Sequence, residues 1–263
     1  MTTTTGERRR VRVPASTRTQ SRVILYQPSQ RPERRAGDWQ VTSYGRVRVT
    51  GRLGQRHADV VEAICATALA GREIEDGGIE LLVDPHRVRR VLSGGRGQYS
   101  NEGLHVLLAD LRAAVIEIET PKLAEKNQRI IGGLLDHWVP AAREVTDQLT
   151  GGVRQLWRVR LGVALAALIR ADAAIWRDPA PIAALRSGVS QAVARHVLTH
   201  SAARRGRLHL NGLLDAVGVA GGQARKQARR AVRDDARGLA VLGIVVEGDR
   251  VWRARVRSVE SAT

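Results

Sequence analysis

The chain has 263 residues, of which 43% are apolar, and a formal net charge of +17. That length and apolar content support one large core or two small ones and argue against disorder throughout. Cys65 is the only cysteine, which excludes an internal disulfide and a cysteine-based metal site, and no run approaches the roughly 18–20 apolar residues of a membrane span.

The Thr- and Arg-rich start has no apolar block of the kind a signal peptide needs. A reduced, cytoplasmic, soluble protein without membrane contact is therefore expected. Nearly all cations are arginines, with Lys122, Lys126 and Lys226 the only lysines, so part of the charge reads as codon bias. Its distribution is more telling. Residues 1–56 carry 13 basic and 3 acidic side chains, residues 57–200 carry 17 of each, and residues 201–257 carry 13 against 5. A polyanion partner is the natural target of charge placed at the ends and withheld from the middle.

In chain order, residues 1–40 read as a flexible basic arm, with Arg8 to Arg10, Pro28, Pro32, Arg34 and Arg35 and only the short run Val23-Ile24-Leu25. Arg46 to Val49 alternates as a short strand. Gln55 to Leu69 places Ala58, Val61, Ile64, Cys65 and Leu69 at helical spacing. Ile79 to Val83 is a strand, Pro85 to Leu92 a short helix, and Gly94 to Gly97 a loop. Ser100 caps a helix that lines up Leu104, Leu107, Leu108, Leu111 and Val115. Ile116 to Thr120 alternates, and Arg129 to Trp138 returns beside it. Helix, strand, helix, loop, helix and hairpin is the order of a winged helix, here residues 41–150.

A second unit, residues 151–257, starts after Gly151-Gly152. Trp157 to Leu161 alternates, and the apolar stretch up to Trp176 reads as strands buried between domains. Pro181 to Thr199 is helical, with Ile182, Leu185, Val189, Val193 and Val197 in register. Leu208 to Leu210 is a strand, Asn211 caps a short helix, and Gly218 to Gly222 turn. A long helix runs from Gln223 to Leu239, and Gly243 to Glu247 pairs with Arg250 to Val256 across Gly248-Asp249. Residues 258–263 are a tail. The expected fold class is α+β, two tandem winged-helix domains with a flexible basic N-terminal arm.

On a helical wheel Ala224, Ala228, Ala231, Val232 and Leu239 share one side of the long helix. Lys226, Arg229, Arg230, Arg233 and Arg237 share the other, with Gln223 at its edge. Asp235 breaks the pattern, falling towards the apolar side, where it needs a partner or a frayed turn. A basic helix behind a glycine turn suits the major groove, where Arg reads guanine and Gln reads adenine. Arg250, Arg253 and Arg255 on the hairpin complete the candidate DNA-binding set. In the first unit the exposed side of the third helix offers Glu102, His105, Asp110 and Arg112, close to neutral. Dimerisation is therefore its expected role, with Arg87, Arg89 and Arg90 as accessory DNA contacts.

Signals for catalysis are poor. Gly94-Gly95-Arg96-Gly97 lacks the Gly-Lys-Ser/Thr of a phosphate loop. His196 and His200 lack the glutamate of a zinc-protease helix and read as a helix-surface pair. Asp234 and Asp235 point apart, Tyr26, Tyr44 and Tyr99 have no histidine cluster, and Trp138, Trp157, Trp176 and Trp252 read as packing. No catalytic residue, metal or cofactor is expected, and a nicking relaxase or nuclease is the disfavoured alternative.

Two tandem winged helices, the second more basic, resemble the replication initiators of iteron-containing plasmids. Tyr44-Gly45-Arg46-Val47 through Gly54-Gln55-Arg56-His57-Ala58-Asp59-Val60 resembles their first strand and helix, and Val197-Leu198-Thr199-His200 the helix end before the second unit's turn. The likeness spans about residues 41–257. It implies that the C-terminal unit reads repeated DNA, by position through Gln223, Lys226, Arg229, Arg230 and Arg233. It implies that the first unit supports a dimer in a monomer–dimer equilibrium, and that the host helicase and initiator are partners. Autoregulation of the protein's own gene fits the same reading, and a winged-helix transcriptional regulator is the alternative.

Overall fold

A computed structural model describes residues 11–94, 99–125, 129–146, 151–200 and 207–254. The fold is mixed α+β, and its paired strands are all antiparallel. It opens with β1 (Ser16–Thr17) and α1 (Arg18–Arg22). Thr17 caps α1 reciprocally: its hydroxyl accepts the Gln20 N–H, and the Gln20 side chain accepts the Thr17 N–H at 2.8 Å.

The flexible-arm expectation fails for residues 11–40. Val13, Ala15, Val23, Ile24 and Leu25 are buried, and the segment lies along the rest of the chain as a strap. The Arg22 Nε donates to Thr199 Oγ1 at 2.8 Å, and the Gln30 amide donates to Gln191 at 3.3 Å. Gly218, at φ +81°, brings the turn of the C-terminal unit against the Ile24 side chain. An extended strap covered on several sides needs no periodicity, so the apolar run looked isolated in the sequence.

Next come β2 (Arg35–Thr42), β3 (Gly45–Gly51), α2 (Gln55–Thr67), β4 (Ala70–Glu73), β5 (Ile79–Val83), α3 (Pro85–Leu92) and α4 (Asn101–Ala113). Asp84 and Ser100 cap α3 and α4 through their side chains, Ser100 accepting the Gly103 N–H at 3.0 Å. Then follow β6 (Val115–Glu119), α5 (Pro121–Ala124), β7 (Ile130–Gly132), β8 (Leu135–Thr146) and β9 (Val153–Leu161). The expected pairing of Ile116 to Thr120 with the segment after Arg129 does form, as β6 with β7, but inside the sheet β2-β3-β6-β7. The hairpin that joins β5 is β8–β9, in the order β4-β5-β9-β8. The division expected at residues 150/151 therefore falls inside that hairpin. The first apolar cluster reaches Leu168 and the second begins at Ile182.

Beyond it lie α6 (Val163–Ala171), β10 (Ala174–Ile175), α7 (Ala180–Ala183) and α8 (Gly188–Val197). The stretch expected as buried strands is the helix α6, because Ala and Leu dominate it and helical propensity outweighs apolar content. The C-terminal unit is β11 (Leu208–His209), α9 (Leu210–Ala216), α10 (Gly222–Asp234), α11 (Ala236–Val241), β12 (Ile244–Glu247) and β13 (Arg250–Arg253). His209 rather than Asn211 stands at the start of α9. The sequence α2-β5-α3-α4-β8-β9 recurs as α8-β11-α9-α10-β12-β13, and in both the last strand lies between the other two.

The two units meet through charge. Gln55, Asp59 and Glu62 lie at helical spacing on α2 and face Gln191 and Arg195 on α8. Arg195 donates to Asp59 at 2.6 Å, to Glu62 at 3.0 Å and to Gln55 at 2.7 Å, and Arg177 also binds Glu62. Burial raises the Asp59 carboxyl above its ordinary value despite Arg195 and Arg56. At Glu62 burial pushes upward too, but Arg177 and Arg195 together pull the carboxyl below it. Three guanidiniums thus surround two carboxylates, so the cluster holds no uncompensated negative charge.

Candidate nucleic-acid interface

The solvent face of α10 is set by what the helix buries. Ala228 and Val232 are its buried residues, and the helix packs against α8 and α9. Gln223, Lys226, Gln227, Arg230 and Arg233 share one face of the helix, each three or four positions from another of the set, and are exposed. Of the expected basic stripe, Lys226, Arg230 and Arg233 are exposed on α10, whereas Arg229 is only part-exposed. Ala224, assigned to the apolar side, is exposed, because the first turn of α10 projects past α9 into open space.

The helix ends sooner than its pattern suggested. Asp235 is buried, and its two carboxylate oxygens accept the Arg186 and Ser187 N–H groups at 3.2 and 3.0 Å. Ser187 is the N-cap of α8, so this carboxylate serves the helix start of a neighbouring element while the chain turns into α11. Arg237 consequently lies on α11, exposed, rather than on the stripe of α10.

The cations of this surface divide by partner. Arg225 binds Asp215 and donates to the Val219 carbonyl at 3.3 Å, fixing the turn before α10. Arg229 and Arg233 converge on Asp249 at the tip of the β12–β13 hairpin, at 2.5 and 2.8 Å. Among the described residues Arg230 pairs only with the exposed Asp234, one helical turn on, at 3.7 Å. Lys226, Arg237 and Arg250 have no ion pair among the described residues. Arg253 is exposed and reaches the His200 carbonyl at 3.5 Å, whereas Arg255 lies outside the described residues. Arg207, unremarked in the sequence, lies over the Trp252 ring at 4.1 Å and pairs with Glu247. Gln227 was also missed, although its place one turn after Gln223 and just before Arg230 marked it.

In the first unit, α4 presents Glu102, His105 and Val106 to solvent, close to neutral as expected. Arg87 pairs weakly with Asp84 at 4.0 Å, Arg89 donates to Asn101 at 2.8 Å, and Arg90 is exposed. A more basic feature went unnoticed: Arg143 and Arg158 are exposed on the β8–β9 hairpin. The alternation of Arg158 and Arg160 around Val159 was its signal.

His196 is largely buried beside His200, with ring centroids 5.4 Å apart, rather than a surface pair. Burial, His200 and Arg22 hold it down to about 4, so it is neutral near pH 7 and faces a guanidinium that would repel a metal. Tyr26 is buried, which raises its hydroxyl far from ionisation. Trp138 and Trp157 pack around His105 at the edge of the first core, whereas Trp176 is half exposed under Arg12, contrary to a packing role. Gly95, Arg96 and Gly97 lie outside the described residues. Among the described residues no cluster of three or more metal-ligating side chains occurs, and no helix is long and apolar enough to cross a membrane.

No protein-family model matches the chain, and no curated protein matches it in sequence. Two solved structures of domains 2 and 3 of RctB align with the chain. One aligns with a TM-score of 0.49 over 85% of this chain and 82% of its own, at 12% identity. The selenomethionine derivative aligns with a TM-score of 0.59 over 92% of this chain and 100% of its own, at 11% identity, so this chain shares the fold of those two domains.

Proposed function

We propose that this protein is a DNA-binding replication initiator whose C-terminal unit, built as a winged helix, lays α10 in the major groove of duplex DNA. One observation carries the reading: the exposed stripe of Gln223, Lys226, Gln227, Arg230 and Arg233 stands between a glycine turn and a basic hairpin. Arg and Gln at the start of such a helix read base edges, while the other cations hold phosphates. The resemblance of its element order to iteron-plasmid initiators supports initiation over simple regulation, and the fold shared with domains 2 and 3 of RctB spans both units. The first unit repeats the winged-helix order and serves as the dimerisation and accessory module, with Arg90, Arg143 and Arg158 near the backbone. The protein acts by binding repeated origin sites and assembling other replication proteins, not by catalysis.

Footprinting on the DNA that flanks the protein's own gene tests this. Protection of direct repeats spaced by about two helical turns is expected; a single inverted repeat at a promoter would instead indicate a transcriptional regulator. With about six phosphate contacts, log affinity should fall by about 5 per tenfold rise in salt. Arg230→Ala should cost about 1–3 kcal/mol of binding if that guanidinium reads a base, with melting unchanged because 86% of the side chain is exposed. Supercoiled plasmid incubated with protein and magnesium should stay intact. Nicking would overturn the non-enzymatic part of the proposal.

A further inference from the structure

We infer that Asp249 is a positioning residue that withholds Arg229 and Arg233 from indiscriminate phosphate contact and so sharpens sequence discrimination by α10. This rests on the DNA-binding reading above and concerns how that surface chooses among sequences.

The geometry is unusual for two cations on a DNA-facing helix. Arg229 and Arg233 lie one turn apart on α10, and both donate Nη2 to the same oxygen of Asp249, at 2.5 and 2.8 Å. Arg233 also reaches the Gly248 carbonyl at 3.4 Å. The tip that carries this carboxylate is fixed. Gly248 adopts φ +56°, as a tight two-residue hairpin turn requires, and the Asp249 carbonyl accepts the Leu210 N–H of α9 at 2.9 Å. The carboxylate is thus held by backbone on both sides, between α9 and α10. Arg229 is only part-exposed, and its Nε is buried. The two guanidiniums together hold the Asp249 carboxyl below its ordinary value, Arg229 contributing most through its hydrogen bond.

A phosphate approaching α10 must compete with Asp249 for these donors. Lys226, Arg237 and Arg250 lack that competition. Phosphate contacts supply most non-specific affinity and carry no sequence information directly. A built-in carboxylate that occupies two of the cations therefore lowers binding to any duplex, while Gln223, Gln227 and Arg230, the last tied to the exposed Asp234 at 3.7 Å, can still reach bases.

The experiment compares wild-type protein with Asp249→Asn and Asp249→Glu on a footprinted site and on random duplex across a salt series. Asp249→Asn keeps the shape and removes the charge. It is expected to tighten binding to random duplex about tenfold, to steepen the salt dependence of log affinity by about 1–2, and to tighten specific binding less. Asp249→Glu keeps the charge and should retain the wild-type salt dependence. Adding Arg229→Ala and Arg233→Ala to Asp249→Asn should return the salt dependence to wild type or below, an outcome that loss of a merely structural contact would not produce. An unchanged salt dependence and specificity ratio in Asp249→Asn overturns the positioning role while the DNA-binding reading stands, provided Arg230→Ala still weakens the complex. Weaker binding to both duplexes with an unchanged melting temperature also overturns it, by making Asp249 a helper of phosphate contact. A folded wild-type protein that binds neither duplex sinks the DNA-binding reading and this inference with it.

Discussion

Arg195→Ala should destabilise the protein by about 3–5 kcal/mol, the cost of breaking a buried ion pair from one side. Arg195 is 3% exposed, and its removal leaves Asp59, with no exposed surface, held only by Arg56 at 3.4 Å and by Gln191. Glu62 keeps Arg177 but loses two donors. The damage lies between α2 and α8, while each unit retains its own apolar cluster. Chemical denaturation should therefore show both a lower midpoint and a split into two transitions, followed by the fluorescence of Trp157 in the first unit and Trp252 in the second. A loss below about 1 kcal/mol, or one unsplit transition, would show that the apolar contacts and the strap join the units without this charge cluster.

Leu108→Ala is the second large effect, at about 2–5 kcal/mol, the range for truncating a buried leucine in a core that cannot collapse around the gap. Leu108 has no exposed surface and lies with Leu104, Leu107 and Leu111 on α4, which packs against α2 and β8. α10 is built on a different cluster, so DNA binding at a temperature where the variant remains folded should keep the wild-type salt dependence. Thermal melting and a DNA titration at about 10 °C below the variant's midpoint separate the two readouts. A weakened DNA titration in the folded variant would place the first unit in direct DNA contact.

The C-terminal unit was legible because it is local. A short helix, Gly218 in its turn, a basic amphipathic helix and the Gly248-Asp249 hairpin succeed one another within about fifty residues. Even the misfit of Asp235 was visible, and the structure answers it twice, with partners from Arg186 and Ser187 and with a helix break. The first unit was harder because β6, α5 and β7 are inserted between α4 and its hairpin. The alternation of Ile116 to Thr120 found the nearest returning strand, and pattern alone does not say which sheet the pair joins. Arg195 was invisible for another reason. A lone arginine on an apolar helix reads as a surface cation until Asp59 and Glu62, more than a hundred residues away, are set opposite it. Asp249 likewise read as a turn residue, and its hold on Arg229 and Arg233 depends on the tip bending back over α10.

The strap also bears on how the molecule is made. Thr19, Gln30 and Arg22 meet partners 153, 161 and 177 positions further along the chain. During synthesis this segment meets its near partners around Leu53 to Gln55 early, but leaves the ribosome well before its partners on and just past α8 exist. Val23 and Leu25 belong to the first unit's apolar cluster, but Ile24 stays incompletely covered until the turn at Gly218 has formed. Such late closure of distant segments slows folding and leaves an adhesive stretch uncovered for its duration. A segment translated ahead of its distant partners is thus fully locked only once both units have taken shape, a clasp fastened late.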